Sequence, residues 1–326
     1  SPEAMTYIGV FDRFDWLTRH NSNLSIPKKD DRENSIKQYE QVIRTLYKYE
    51  DSSLSEVQKN TKKIAIFDAE NNLKQVKEFP HHDYPLNQIG GIHLNTIEFL
   101  SDMHPIRNES EAEDFIKRAN LIKKVYEGVL ADLEDQADAG IFPPEFVYDH
   151  VINQLSEFIS YDYNEHPLYT QFLKKVKELN LDQDKEKQFE LQIKNAIDES
   201  VTPGFRILKD FMMRTKRYAN KNHGIWSQPN GGEYYKLRIR TYTTTDYSPE
   251  EIHQMGLKEV NRISSRMREI LTELGYDKNK TVGELMNELN EDPQFLYEDT
   301  PNRKEIVVSD YTEMMNEAIK VMTDYF

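Results

Sequence analysis

A run of polar and aromatic residues at positions 231–247 offers the richest binding chemistry in this sequence. It reads Gly231-Gly232-Glu233-Tyr234-Tyr235-Lys236-Leu237-Arg238-Ile239-Arg240-Thr241-Tyr242-Thr243-Thr244-Thr245-Asp246-Tyr247. A tyrosine presents both an aromatic face and a hydroxyl group, and an arginine binds a carboxylate through two N–H groups at once. The run therefore suits the wall of a cleft that holds a peptide backbone and its carboxylate.

A plainer alternative applies to the same run. In this alternative the run forms a helix or a strand, its tyrosine rings fill a core, and its arginines pair with the many carboxylates of the chain. The chemistry of the residues alone favours this plainer alternative. Both alternatives stay open at this point, since only a ligand contact would separate them.

No histidine pair has the spacing of a zinc site built on one helix. Such a site needs two histidines four residues apart, with a glutamate beside the first as general base. His81 and His82 are adjacent and would point apart, and the remaining histidines are isolated in sequence. The chain has no cysteine, which excludes thiolate zinc sites, disulfides and cysteine nucleophiles. The sequence therefore predicts no catalytic and no metal-binding residue.

Composition and charge exclude further classes of function. The formal net charge is -15, whereas a nucleic-acid surface needs a basic stripe, so no nucleic-acid partner is predicted. The glycine pairs Gly90-Gly91 and Gly231-Gly232 lack the strand and the Lys-Ser or Lys-Thr pair of a phosphate-binding loop. No window approaches the apolar length of a bilayer span, so no transmembrane segment is predicted either.

Helices must position the candidate run. Gly and Pro are scarce, at 12 and 13 residues, and apolar residues recur at helical spacing along most of the chain. A long helix is predicted from about residue 109 to residue 139, with Gly140 at its end. We found no repeat and no low-complexity linker. The sequence therefore predicts a mainly α protein with a single helical domain over residues 1–326.

The clearest helix start is Ser248-Pro249-Glu250-Glu251, directly after the candidate run. The Ser248 hydroxyl can accept from the third helical amide, and Glu251 can reach back to the cap. Eight apolar residues then recur at helical spacing and predict a buried stripe, with Gly275 as the C-terminal glycine. These eight are Ile252, Met255, Val260, Ile263, Met267, Ile270, Leu271 and Leu274.

The same region resembles a signature of a bacterial family, domain of unknown function 885 (DUF885). The resemblance is carried by Arg240-Thr241-Tyr242-Thr243-Thr244-Thr245-Asp246-Tyr247-Ser248-Pro249-Glu250-Glu251-Ile252-His253 and by Gly256-Leu257-Lys258-Glu259-Val260. Less specific segments agree in order: Pro85-Leu86-Asn87-Gln88 with Gly90, Phe99-Leu100 before His104-Pro105, the helix from Ser110 to Leu130, Gly140-Ile141, and Thr202-Pro203. The resemblance covers nearly the whole chain.

The resemblance implies a multi-helix, zincin-like fold, since members of the family are similar to helical zinc metallopeptidases. Their His-Glu-x-x-Pro-Gly-His motif lies on a helix well after the Gly-Leu-x-Glu-Val stretch, and this sequence stops at Phe326 before it. The implied chain is therefore the N-terminal part of a peptidase, incomplete for catalysis. Zinc is expected in the full-length protein and none is bound by this chain.

The resemblance also implies that this part forms one wall of a peptide-binding cleft. The candidate substrate-binding residues of that wall are Tyr234, Tyr235, Arg238, Tyr242, Thr244 and Tyr247. Members are often exported lipoproteins, so the expected location is the cell envelope, periplasmic or at the outer membrane, with a lipid anchor before Ser1. The alternative function is a non-catalytic helical binding or structural module of the envelope, and the sequence leaves enzyme and module open.

The last helix is predicted to expose an apolar face, because the rest of the domain that would cover it is expected to be missing. The residues of this face are Met314, Met315, Ile319, Val321 and Met322. An uncovered apolar face favours association with a second surface. Self-association through this helix is therefore expected.

Overall fold

A computed structural model describes residues 1–9, 15–323 and 325 of the chain, without the side chains of residues 15–18. Within these residues the chain is mainly α-helical and has no β-strand, apart from an isolated bridge between Pro144 and Asn220. The predicted mainly α fold class is confirmed. Across the same residues, no helix is both long and apolar enough to span a bilayer.

Contacts group the chain into two compact units, residues 1–246 and 247–326. The helices of the first unit are α1 (Pro2–Tyr7), α2 (Asp31–Leu46), α3 (Glu56–Glu78), α4 (Ile92–Glu98), α5 (Glu109–Asp138), α6 (Glu145–Ser160), α7 (Pro167–Glu178), α8 (Gln183–Ala196), α9 (Thr202–Thr215) and α10 (Gly231–Thr243). Those of the second are α11 (Pro249–Glu273), α12 (Val282–Glu291) and α13 (Arg303–Met322). The single domain predicted from the sequence stays a prediction.

Helix α5 is the centre of the first unit. The Asn108 side chain accepts from the amide of Glu111 at 3.0 Å and caps its start. Gly140, with a φ of +72°, follows its end as predicted, because the left-handed region suits glycine. The buried face of α5 packs against helices α7, α8 and α9 in one hydrophobic core. Its buried apolar residues are Ala112, Phe115, Ile116, Ala119, Ile122, Val125, Tyr126, Val129 and Leu133.

The second unit has a small core. Ser248 caps α11 as predicted: its hydroxyl accepts from the amide of Glu251 at 3.2 Å, and the Glu251 carboxylate accepts from the amide of Ser248 at 2.8 Å. Of the predicted apolar stripe of α11, Leu271 alone is buried among the described residues, so the prediction of a buried stripe is wrong. Amphipathic spacing creates an apolar face, but burial needs a second surface against it.

The face of α13 is exposed as predicted. Its apolar residues Met314, Met315, Ile319, Val321 and Met322 are all exposed. Exposure of this face does not by itself show self-association, which stays a prediction.

Candidate functional site

The candidate run forms a helix over most of its length. Helix α10 ends at Thr243. The next residue, Thr244, has a φ of +54° in the left-handed region, and its amide donates to the carbonyl of Arg240 at 2.9 Å. This left-handed residue is a usual helix end. The plainer alternative, a packed helix or strand, is therefore correct in its secondary structure.

Tyr234 belongs to the core and not to a ligand surface. It is 2% exposed and packs with Phe79 and Leu237 beside the ring of His82. Its hydroxyl donates to Asp83 at 2.6 Å. Burial, and then the hydrogen bond to the Asp83 carboxylate, raise the pKa of this hydroxyl, so Tyr234 stays protonated at neutral pH.

Arg238, one turn further along α10, carries a charge at the surface of this cluster. Its guanidinium lies 4.8 Å from the ring centre of Tyr242 and 6.0 Å from that of Tyr234. It donates to the hydroxyl of Tyr242 at 2.7 Å and to Oε1 of Gln75 at 3.2 Å. A guanidinium held between two aromatic rings keeps its orientation, because each ring attracts the cation through its negative face.

A relay of hydrogen bonds fixes the position of Arg238. The Gln75 amide that accepts from Arg238 donates in turn to Asp83 at 2.6 Å. The carbonyl of Asp83 accepts from Gln136 of α5 at 2.7 Å, and its carboxylate also binds Tyr234. This series of hydrogen bonds runs from Gln136 through Asp83 and Gln75 to Arg238. It therefore connects Arg238 to the central helix α5.

Tyr235 and Tyr242 supply the exposed aromatic area near Arg238. Both are exposed, with Tyr242 at 76%. Residues 235, 238 and 242 are spaced i, i+3 and i+7, which places them along one stripe of an α-helix. The structure therefore brings together three of the predicted residues on one surface, Tyr235, Arg238 and Tyr242.

The hydroxyl groups of the run are mostly used locally. Thr241 donates to Leu237, Thr243 to Ile239, and Thr244 to the carbonyl of Thr243. Thr244 thus caps the C-terminal end of α10, and its hydrogen bonds within the described part of the chain are to backbone carbonyls and not to the side chain of Arg238. Tyr247 is exposed and is the first residue of the second unit.

Arg240 makes the kind of contact that the plainer alternative predicts, an ion pair with a carboxylate. It pairs with Asp246 at 3.0 Å, donates to Asn71 at 2.6 Å, and lies over the ring of Phe67. These contacts dock α10 against α3. The two arginines of the run therefore differ, because one has a carboxylate partner and the other, Arg238, has none among the residues that the structure describes.

The sequence model of the family described as "bacterial protein of unknown function (DUF885)" matches residues 2–326. The chain belongs to this family. The family predicted from the sequence is thereby confirmed. No curated protein matches the DUF885 chain.

A solved structure similar to this DUF885 chain is that of "the putative lipoprotein from Colwellia psychrerythraea". The two superpose with a TM-score of 0.87 and share 26% sequence identity. The match covers 98% of this chain and 56% of the Colwellia protein. The DUF885 chain therefore has the fold of that part of the Colwellia protein and spans little more than half its length.

Zinc is the cofactor that the resemblance implies for the family. A zinc site needs three or four His, Cys, Asp or Glu side chains around one point. No such group of three or more exists within the described part of this DUF885 chain. These residues do not fit a zinc ion, and we derive no chemical step through one.

The sequence did not reveal Gln75, Asp83 and Gln136, the residues that hold Arg238 in place. Gln75 lies 163 positions from Arg238, and Asp83 lies 151 positions from Tyr234. A single sequence carries no spacing rule for such distant pairs. The one local signal is the loop at residues 79–91 with its prolines and paired glycines, which marks irregular backbone that can place polar side chains.

Proposed function

We propose that this chain is the substrate-binding part of a zinc-dependent peptidase-like protein, and that the surface of Tyr235, Arg238 and Tyr242 binds the carboxylate terminus of a peptide. The family match and the likeness to a longer protein support this proposal. The observation that carries the proposal concerns the side chain of Arg238. In a chain of net charge -15, this guanidinium has no ion-pair partner among the described residues.

Arg238 has the chemistry to bind a carboxylate. An arginine has five N–H donors in a planar fork, and the two protein acceptors of Arg238 are the Gln75 amide and the Tyr242 hydroxyl. The other donors are available for a ligand. Because two aromatic rings and a hydrogen-bond relay hold the group in place, little side-chain entropy is lost when a carboxylate binds.

Tyr235 and Tyr242 suit the side chains of a peptide. Their rings offer apolar contact area, and their hydroxyls can donate to or accept from a peptide backbone. A small anion would use Arg238 alone. The aromatic residues on either side of it therefore favour a peptide over an inorganic anion.

In this proposal the zinc ligands lie outside residues 1–326, and the whole protein performs the hydrolysis. The match covers 56% of the Colwellia protein, so a protein of that length has further residues among which zinc ligands can lie. The exposed apolar faces of α11 and α13 support the same proposal, because a longer protein offers a surface to cover them. In the proposal an envelope location, with a lipid anchor before Ser1, follows from the description of the Colwellia protein.

Substituting Arg238 tests the carboxylate site. Arg238→Ala is expected to weaken binding of tripeptides with free carboxylate termini about 10- to 100-fold, because a charged hydrogen bond contributes about 1.5–3 kcal/mol. Isothermal titration calorimetry with a fixed set of tripeptides measures this. The same peptides with amidated termini are expected to bind the unaltered chain as weakly as the free peptides bind the variant.

The matched control is Lys236→Ala on the same helix. Lys236 is an exposed cation paired with Glu233 at 2.7 Å, so its removal changes the net charge equally without touching Arg238. Its peptide affinity should equal that of the unaltered chain. Equal affinity for free and amidated peptides, or equal losses in the two variants, would contradict the proposed site.

The alternative function is a binding or structural module of the cell envelope without metal chemistry. The two functions predict different properties for the protein that the complete gene encodes. The peptidase proposal expects that protein to purify with about one zinc per chain, as measured by atomic emission, and to lose peptide hydrolysis when a chelator removes the metal. A folded, metal-free protein that still binds peptides would contradict the peptidase proposal and support the binding module.

A further inference from the structure

Gln75, on helix α3, connects the Arg238 cation to the Asp83 carboxylate. Its Oε1 atom accepts from Nη1 of Arg238 at 3.2 Å, and its Nε2 atom donates to Oδ2 of Asp83 at 2.6 Å. A side-chain amide has an acceptor oxygen and a donor nitrogen, so the reverse orientation would place a donor against the guanidinium and an acceptor against the carboxylate. The amide therefore has one favoured orientation, in which it satisfies a cation and an anion at once without carrying a charge.

Asp83 is held by contacts other than Arg238. Its Oδ1 atom accepts from the hydroxyl of Tyr234 at 2.6 Å, and Tyr234 is buried. The backbone carbonyl of Asp83 accepts from Nε2 of Gln136 at 2.7 Å. Both carboxylate oxygens thus have a donor, and the backbone is tied to α5. Asp83 therefore forms no ion pair with Arg238 in the described part of the chain, although both bind Gln75.

Helix α3 meets the two arginines of α10 with neutral side chains. Phe67, Asn71 and Gln75 are spaced four residues apart and so lie along one face of α3. The guanidinium of Arg240 lies 4.8 Å from the ring centre of Phe67 and donates to Oδ1 of Asn71 at 2.6 Å. Among the described residues no ion pair joins α3 to either arginine. The helix against which α10 packs therefore leaves the charge of Arg238 unneutralised.

We propose that Gln75 sets the charge selectivity of the surface formed by Tyr235, Arg238 and Tyr242. The inference rests on the proposed function, since it concerns the same carboxylate site. The neutral amide orients the guanidinium and leaves its charge for a ligand. A carboxylate at position 75 would instead form an ion pair with Arg238 and block the binding of anions. An ion pair within the chain forms without the translational entropy that a ligand loses on binding, so it outcompetes the carboxylate of a peptide.

Gln75 acts through Arg238 and is a positioning residue, which two variants of similar side-chain length test. In Gln75→Glu the affinity for tripeptides with free carboxylate termini, measured by calorimetry, is expected to fall at least about tenfold, to that of the amidated peptides. Gln75→Met adds no charge, so Arg238 stays unpaired and the preference for free over amidated peptides is expected to remain. A purely structural role of Gln75 would make the two variants alike.

The matched control is Asn71→Asp, which makes the same change from amide to carboxylate one turn earlier on α3. The added charge there lies beside Arg240, so peptide affinity should equal that of the unaltered chain. Circular dichroism checks that each variant is folded. Equal losses in Gln75→Glu and Asn71→Asp would show that added negative charge alone reduces the affinity, and would overturn the proposal. A preference for free peptides that survives in Gln75→Glu overturns it as well.

A second measurement follows Arg238 without any peptide. Phenylglyoxal modifies accessible guanidinium groups, and mass spectrometry of the digested chain gives the rate of modification at Arg238. An ion pair protects the group, so the rate is expected to be about fivefold or more slower in Gln75→Glu and unchanged in Asn71→Asp. Equal binding of free and amidated peptides by the unaltered chain would refute the proposed function. Equal modification rates in the unaltered chain and Gln75→Glu would instead refute the role of Gln75.

Discussion

Replacing Arg118 with methionine is expected to lower the free energy of unfolding by at least about 3 kcal/mol. The guanidinium is fully buried, at 0% exposure, on the inner face of α5. Methionine is shorter than arginine and retains the apolar contacts of its stem, but it leaves several acceptors unpaired, and each unpaired buried acceptor costs about 1–3 kcal/mol. The cavity around the shorter head group adds to the loss.

The partners of Arg118 explain the size of this effect. Its N–H groups donate to Nδ1 of His104 and Oγ1 of Thr6, each at 2.7 Å. They also donate to the carbonyls of His20 and Asn23 at 3.0 and 2.9 Å. All four are neutral acceptors, so the group is satisfied without a carboxylate. Arg118 thus joins the N-terminal segment to the central helix, and its loss should loosen both.

Urea unfolding followed by circular dichroism measures the change, and hydrogen exchange of the amides of α1 locates it. Arg214→Met is the matched control, since Arg214 pairs with Glu134 at the surface with half its side chain exposed. An exposed ion pair contributes about 0–1 kcal/mol. If Arg118→Met unfolds at the same urea concentration as Arg214→Met, the interpretation of Arg118 as a structural centre is wrong.

Helix starts were predictable because their signals are local. Ser248 and Glu251 form their capping box within one turn, and Gly140 ends α5 through its own backbone freedom. The apolar spacing of α11 also predicted a face correctly, but not its exposure. Spacing within a helix records which residues share a face, whereas burial depends on a second surface that the spacing does not specify.

The candidate site was predictable in part for the same reason. Tyr235, Arg238 and Tyr242 share a stripe because they lie on one helix, which spacing within the run can indicate. Tyr234 lies in the core, because Phe79 and Asp83 approach it from another part of the chain. The contacts of Gln228 are similarly invisible in the sequence, because its Nε2 donates to the hydroxyl of Tyr84, 144 positions away, which in turn donates to the carbonyl of Phe142.

Lowering the pH from about 7 to about 5 is expected to destabilise the chain strongly. Burial is the main cause that lowers the pKa of four histidines, the partly buried His81 and the buried His93, His104 and His166. The pKa of His104 falls to about 3, with the Arg118 charge as the second cause, and that of His166 falls to about 4. Both rings are therefore neutral in the folded chain throughout this range of pH.

The sign of the effect follows from proton binding in the two states. Below pH 6.5 the unfolded chain protonates these histidines, whereas the folded chain does not until the pH approaches 4 for His166 and 3 for His104. The unfolded state then binds more protons, so the free energy of unfolding falls as the pH falls. Each such histidine contributes a slope of about 1.4 kcal/mol per pH unit, and His93 acts in the same direction.

Urea unfolding at a series of pH values between about 7 and about 5 measures this slope above the range in which carboxylates begin to titrate. His166→Asn is expected to reduce the slope by about 1.4 kcal/mol per pH unit, because one proton-binding group is removed from the unfolded state. His150→Asn is the control, since that histidine is exposed and the substitution is the same. A free energy of unfolding that stays constant over this range, or rises as the pH falls, would show that the buried histidines are not held neutral. An equal reduction of the slope in both variants would show that burial of His166 is not its cause.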